Sequence, residues 1–298
     1  MNVYCPKGLH QGVFQSLSSS ICKHDFYVPA WDSKQKLQPD NVKIMTKEMQ
    51  EDPDDKFFEA VLVQSPEDYN IVKNWDKTII YYHLINSRGR GLDHIYANKN
   101  VIPVFLMNSC KISYNVFEGQ HKTIYHGVDS EFWSGWTGEN KMLVSVKNNF
   151  NTRDPRRFAM YKDICGDHPN VVLGANQDLN LSYTDLRDKL RSSRVFMNVE
   201  IVGSPFDTSA VEAMMLGMPM ISTDCESSGE FIRNGIEGFI SNDINYLKKK
   251  VKDVLNDHDL AAELGRNSRK MAELRFSKEQ FNIQWNDFLD NIDFYKRR

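Results

Sequence analysis

The turn Pro205 to Ser209, PFDTS, opens onto an apolar run through Val211, Ala213, Met214 and Leu216, an arrangement suited to holding an anion. Thr208 or Ser209 is placed to cap a helix that begins near Ala210 and stops at Gly217. The first N–H groups of such a helix lack intrahelical partners and sit at the positive end of its dipole, so a phosphate is a natural ligand. A second candidate is the segment KNNFNTRDPRRF, which brings Lys147, Arg153, Arg156 and Arg157 together in one expected loop. Ammonium and guanidinium groups suit adjacent phosphates, although by charge alone this segment reads first as a solvated face. His83 closes the β-branched and aromatic run TIIYYHL. A histidine at the end of a parallel strand either faces the ligand crevice or is a satisfied structural residue. No pair of carboxylates stands out at glycosidase spacing.

These residues need a scaffold, and the chain supplies an alternation of strands and helices. Met1 to Cys5, His24 to Ala30, Phe58 to Gln64, Lys77 to Leu84 and Val101 to Met107 read as strands of a first half. Pro6 to Gly12 is a glycine-bearing loop before an amphipathic helix over Val13 to Cys22; such an opening serves either as a phosphate or substrate loop or as a plain turn. In the second half, strands are expected at Lys141 to Val146, Asn170 to Gly174, Val195 to Val199 and Met218 to Ser222. Helices are expected over Tyr183 to Ser192, from Glu230, and over Tyr246 to Leu255, Leu260 to Phe276 and Phe281 to Phe294. The polar stretch before Lys56 shows no clear period, and SRGRG at Ser87 to Gly91 is a basic turn whose sharper reading is an acceptor contact.

Composition bounds the function. The chain has 298 residues, room for two domains, with 41% hydrophobic and 26% charged residues, as in ordinary globular proteins. A net charge of −3 gives no general attraction to nucleic acid or anionic membrane. The five cysteines form no CxxC pair, which argues against a metal centre or disulfide framework and for a cytoplasmic setting. No apolar run reaches the roughly 18 residues of a membrane span.

The string Glu212-Ala213-Met214, Gly217 to Asp224, Glu230-Phe231-Ile232 and Asn234 to Phe239 resembles the donor-binding core of retaining GT-B glycosyltransferases of the family 4 type. The resemblance implies an α/β fold with two Rossmann-like domains facing a central cleft: residues 1–125 on the acceptor side, 126–277 for the nucleotide sugar, and 278–298 as a helix crossing back onto the first domain. It implies sugar transfer from a nucleotide-diphosphate sugar to a hydroxyl of a glycan, lipid or small molecule, with retention, without a metal and without a cofactor. The catalytic residues it implies are His83, Lys147 and Arg153, and the donor contacts are Gly12, Gly174, Ser204, Phe206, Asp207, Thr208, Ser209 and Glu212, the last on the ribose. Ala175, Asn176 and Tyr183 would lie near the base. Ser204 stands where the family has a sugar-binding glutamate. Two other readings follow: a DNA glycosyltransferase of the phage type, with Arg88, Arg90, Lys34, Lys36, Lys43 and Lys47 as the basic face, and a nucleotide-sugar-binding protein without turnover.

Overall fold

Short runs of β-branched and aromatic residues, each ended by turn residues, become parallel strands in the computed structural model. The structure describes residues 1–9, 11–18, 20–32, 38–53, 56–83, 92–109, 121–174, 181–201 and 207–296. The chain forms two compact units, Met1–Gly127 with Phe276–Arg298, and Val128–Arg275.

In the first unit, β1 (Asn2–Tyr4), β2 (Asp25–Val28), β3 (Val42–Ile44), β4 (Ala60–Val63), β5 (Thr78–His83), β6 (Val101–Phe105) and β7 (Lys122–Thr123) pair in the order β3-β2-β1-β4-β5-β6-β7, all parallel. Strands β4, β5 and β6 are buried along their whole length, as expected of a sheet covered on both faces. The strand order reverses between β1 and β4, which makes the carboxyl end of that pair a topological switch point. Part of the polar stretch before Lys56 is now organised: it holds β3 and the helix Lys47–Glu51, capped by Thr46.

The expected helix over Val13 to Cys22 is reduced to the turn Gln11–Phe14, so Gly12 lies within a helical turn rather than in the loop before it. The reason is local composition together with a distant partner. Ser16, Ser18 and Ser20 favour turns, and the backbone groups a helix would have used are taken by the carboxy-terminal helix Lys278–Asp290. Asn282 accepts from the Ser18 N–H at 2.9 Å and donates to the Ser16 carbonyl at 2.7 Å. One turn further on, Asn286 accepts from the Lys23 N–H at 3.1 Å and donates to the Ile21 carbonyl at 2.6 Å. Trp285, between them, is fully buried against Phe14, Phe26 and Tyr82. Ile283 faces away, half exposed.

In the second unit, β8 (Asn140–Val146), β9 (Asn170–Leu173), β10 (Ser193–Asn198), β11 (Met220–Ser222) and β12 (Gly238–Ile240) form a parallel sheet of order β12-β11-β10-β8-β9. Its switch point lies between β8 and β10. Leu143, Val195, Met197 and Ile221 from the sheet pack with Phe150, Tyr161 and Ile164 on one side of the chain order and with Leu247, Val251 and Leu255 on the other. Gly217 ends the helix Thr208–Leu216 at a φ of +91°, and helix His258–Phe276 passes so near that a Cβ at Gly265 would lie 2.1 Å from the Gly217 carbonyl oxygen. Instead of a helix starting at Glu230, the chain forms the helical turn Glu226–Gly229, with Glu230 as its end. Ser228 stabilises that turn by accepting from the Cys225 N–H at 3.1 Å and donating to the Thr223 carbonyl at 2.8 Å.

Trp285→Ala should remove about 3–5 kcal/mol of unfolding free energy from the first unit, the usual result of emptying a large aromatic site. Chemical denaturation followed by tryptophan fluorescence and circular dichroism checks this; a loss below about 1 kcal/mol would show that the carboxy-terminal helix is not integral to that core.

Candidate active site

The chain leaves β8 and β10 on opposite sides of the switch point, and the residues immediately after the two strands meet there. Lys147 follows β8. Its ammonium group bonds the carboxylates of Glu200, which follows β10, and of Asp207. Arg157 binds the other oxygen of Glu200 through Nη1 at 2.5 Å and Asp154 through Nε at 2.5 Å. Two cations therefore meet three carboxylates, and the cluster as built has a net charge of −1.

Local sequence explains how these groups come to lie here. The segment expected as a basic loop is two helices, Phe150–Arg153 and Pro155–Cys165, because Asp154 caps the second by accepting from the Arg157 N–H at 3.0 Å and Pro155 occupies its first position. Asn149 turns the chain with a φ of 52°. Gly174, just after β9, has a φ of +139°, and a Cβ there would stand 2.7 Å from the Lys147 carbonyl oxygen, so only glycine lets this turn close on Lys147. The Ser209 hydroxyl donates to the Val146 carbonyl at 3.3 Å, which ties the start of helix Thr208–Leu216 to the end of β8.

Burial works against the charged form of Lys147, but the Asp207 and Glu200 carboxylates outweigh it and hold its pKa above the ordinary lysine value. For Glu200 burial is the larger influence and pushes the carboxyl upward, opposed by Lys147. Asp207 is the N-cap of helix Thr208–Leu216, in place of the expected Thr208 or Ser209, and its side chain makes no capping bond because it is turned to Lys147. The N-cap of this helix is thus drawn to the buried ammonium group, and a cation paired with a helix start is an arrangement suited to an anion.

Glu212, five residues before the Gly217 cap, is 4% exposed and accepts from the Tyr183 hydroxyl at 2.5 Å. The Trp133 indole N–H in turn donates to that hydroxyl at 3.2 Å. Phe132 stacks on Tyr183 at 5.2 Å, and the Arg187 guanidinium lies over Phe132 at 4.7 Å. The elements carrying this group are helix Tyr183–Ser192, started by the Ser182–Asp185 capping box, and helix Thr208–Leu216.

Among the sequence candidates of this unit, Lys147, Gly174, Asp207, Ser209 and Glu212 fall on the β8–β10 crevice and its bordering helix, with Thr208 as that helix's first residue. Arg153 is exposed at the end of its helical turn and makes no ion pair among the described residues, whereas Arg157 shares Glu200 with Lys147. Glu200 was not anticipated; its signal is an acidic residue closing the apolar run Val195 to Val199, which marks a carboxylate carried to a strand end. In the first unit, His83 is 3% exposed at the end of β5, stacked on Phe105 at 4.7 Å, with Nε2 2.6 Å from the Tyr96 hydroxyl. Burial lowers its pKa to about 3, so it is neutral near pH 7. Ser204 and Phe206 lie outside the described residues, as do Lys34, Lys36, Arg88, Arg90, Ala175 and Asn176. No helix among the described residues is long and apolar enough to cross a membrane.

Residues 179–271 match the family model for glycosyl transferases group 1. The capsular polysaccharide biosynthesis glycosyltransferase CapM of Staphylococcus aureus is 31% identical over 90 residues, 28% of this chain and 24% of that protein, so the match spans about a quarter of its relative. HepE of Anabaena, solved with UDP-glucose, superposes with a TM-score of 0.74 over 97% of this chain and 99% of its own at 12% identity. Sucrose-phosphate synthase of Thermosynechococcus elongatus gives 0.70 over 99% of both chains at 11% identity. TarM of Staphylococcus aureus, solved with fondaparinux, α-GlcNAc-glycerol and UDP, gives 0.62 over 78% of this chain and 55% of its own at 15% identity. The fold is that of the GT-B glycosyltransferases, as the sequence resemblance implied.

Burial of neutral His83 makes stability depend on pH. The unfolded histidine takes up a proton below about 6.5 while the folded one resists until about 3, so stability falls as pH drops through that window. The slope from this one residue is about 1.4 kcal/mol per pH unit. His83→Asn, which keeps an acceptor for Tyr96, should show a flatter decline than the parent when unfolding free energy is measured from pH 7 to pH 5; parallel curves would mean that His83 takes up a proton in the folded state as readily as in the unfolded one.

Proposed function

Because residues 179–271 match a glycosyl transferase family on a chain of GT-B fold, we propose that the protein is a glycosyltransferase using a nucleotide-diphosphate sugar. The observation that carries the reading is Lys147, buried at the β8–β10 switch point beside the start of helix Thr208–Leu216. A diphosphate there meets an ammonium group and the helix N–H groups together. Arg153, exposed on the neighbouring turn, is open to an outer phosphate oxygen. Glu212, steadied by Tyr183, accepts from the ribose hydroxyls. Gly174 brings the end of β9 against Lys147, next to the expected base pocket.

Sugar transfer places growing negative charge on the departing diphosphate while the anomeric carbon gains oxocarbenium character. Groups aimed at the leaving oxygens stabilise that state more than the ground state. Lys147 and the helix start are such groups, and on this reading the reaction proceeds without a metal and with retention of configuration, the acceptor attacking on the face the diphosphate leaves. His83 enters as a neutral hydrogen-bonding group, not as an acid. The acceptor is a hydroxyl of a glycan or glycan precursor: CapM is named for capsular polysaccharide synthesis, and TarM was solved with glycan compounds.

Incubation with a panel of nucleotide sugars should release nucleoside diphosphate, undiminished by a chelator. Glu212→Gln should weaken binding of the preferred nucleoside diphosphate by about 1.5–3 kcal/mol through loss of a charge-assisted hydrogen bond, and its 2′,3′-dideoxy analogue much less. Equal losses for both would remove Glu212 from the ribose; absence of binding to every nucleotide tested would overturn the reading.

A further inference from the structure

We propose that Asp207 competes with the donor diphosphate for Lys147, so that the ligand-free protein holds this cation latched and yields it only to a strongly anionic ligand. The inference rests on the donor site proposed above. Its ground is the inequality of the two carboxylates on Lys147. The Glu200 side chain is 1% exposed and is held by Arg157 at its second oxygen. Its backbone is also fixed, with its N–H donating to the Thr223 hydroxyl at 2.7 Å and its carbonyl accepting from that hydroxyl at 2.6 Å. The Asp207 side chain is 32% exposed, and Lys147 is its only side-chain partner among the described residues. Glu200 is therefore the permanent partner and Asp207 the replaceable one.

The position of Asp207 in the chain strengthens this assignment. An aspartate at an N-cap ordinarily accepts from the N–H of the second or third helical residue. Here that bond is forgone for Lys147, and with the Ala210 N–H donating to the Asp207 carbonyl at 3.0 Å, the N–H groups of Thr208 and Ser209 are the ones left to an incoming phosphoryl oxygen while the ammonium group is temporarily filled. Two cations against three carboxylates also give the empty site a net charge of −1, which an arriving diphosphate must overcome. When the diphosphate displaces Asp207, Lys147 keeps two anionic partners, Glu200 and a phosphate oxygen, and Asp207 passes to solvent. A nucleoside without phosphates does not contend with Asp207.

Calorimetric titration with UDP, GDP and ADP and with the three matching nucleosides tests the latch on the parent, Asp207→Asn and Asp207→Ser. Both variants remove the charge and keep a side chain able to cap, and thermal melting confirms that each is folded; either one folded is sufficient. The diphosphate that binds the parent should bind the variants about three- to tenfold more tightly, and nucleosides should bind all three proteins alike. Unchanged or weaker diphosphate binding in a folded variant overturns the latch and leaves the donor site standing. If no diphosphate binds the parent or either variant, the donor site itself fails and the latch with it.

Discussion

Burial of the Glu200 carboxylate is tolerable only because a cation meets each of its oxygens. An isolated carboxylate in a dry interior is strongly unfavourable, and a buried pair is sustained by geometry and by additional bonds that leave no charge uncompensated. Lys147 comes from the end of β8 and Arg157 from the first turn of helix Pro155–Cys165, so the carboxylate fixes three elements to one point. Arg157 is aligned in turn by Asp154, which serves at once as its ion partner and as the cap of its helix. The turns around this point follow from the same demand. Asn149 accepts a left-handed backbone and Gly174 gives up a side chain so that Lys147 can reach inward. Such an arrangement contributes little net stability compared with an apolar core of the same size, which is a reason to look for its value in chemistry.

On the donor-site reading proposed above, that value is the preorganisation of positive charge. Water stabilises a departing diphosphate only after reorienting, whereas an ammonium group held at a helix start is already directed where the charge will appear. The carboxylates that hold Lys147 keep it charged despite burial. They also temper it, since an unpaired buried cation would bind any passing anion. Glu200 sets the position of the cation and Asp207 its availability, a division of labour that follows from their different exposure.

Much of this scaffold was legible in the sequence, and the parts that were not share one cause. Helix Tyr183–Ser192, the stop at Gly217 and the apolar face Leu247, Val251, Val254 and Leu255 are local signals, and each appears as read. The amphipathic pattern after Gly12 was equally local, yet the helix did not continue. Its backbone groups are satisfied by Asn282 and Asn286, whose partnership no window around residues 13–22 reveals. The cap of helix Thr208–Leu216 lies one or two residues before the Thr208 or Ser209 that the pattern suggests, because the capping rule does not see that Lys147 draws the Asp207 carboxylate away. Lys147 was legible as a cation in a basic segment, but its separation from exposed Arg153 was not, because it depends on Glu200, a single acidic residue with no periodicity. Sequence pattern reports what a segment can do alone; the site residues are those whose partners lie elsewhere.

The two units also differ in the chemistry of their strand ends, and the difference bears on what each recognises. At the end of β8 and β10 the sheet of the second unit presents ionised groups in pairs, suited to a ligand whose own charge changes during reaction. At the end of β5 the first unit presents His83, buried among Tyr81, Tyr96 and Phe105 and kept neutral by that burial. A protonated imidazole there would need a carboxylate partner, and its interaction with hydroxyl groups would vary with pH across the physiological range. A neutral one engages a hydroxyl by hydrogen bonding alone, with the tautomer set by its partners and with no proton at risk of transfer. On the proposed reading, phosphate recognition by charge and hydroxyl recognition by neutral hydrogen bonds are separate problems that fall to residues on separate sheets.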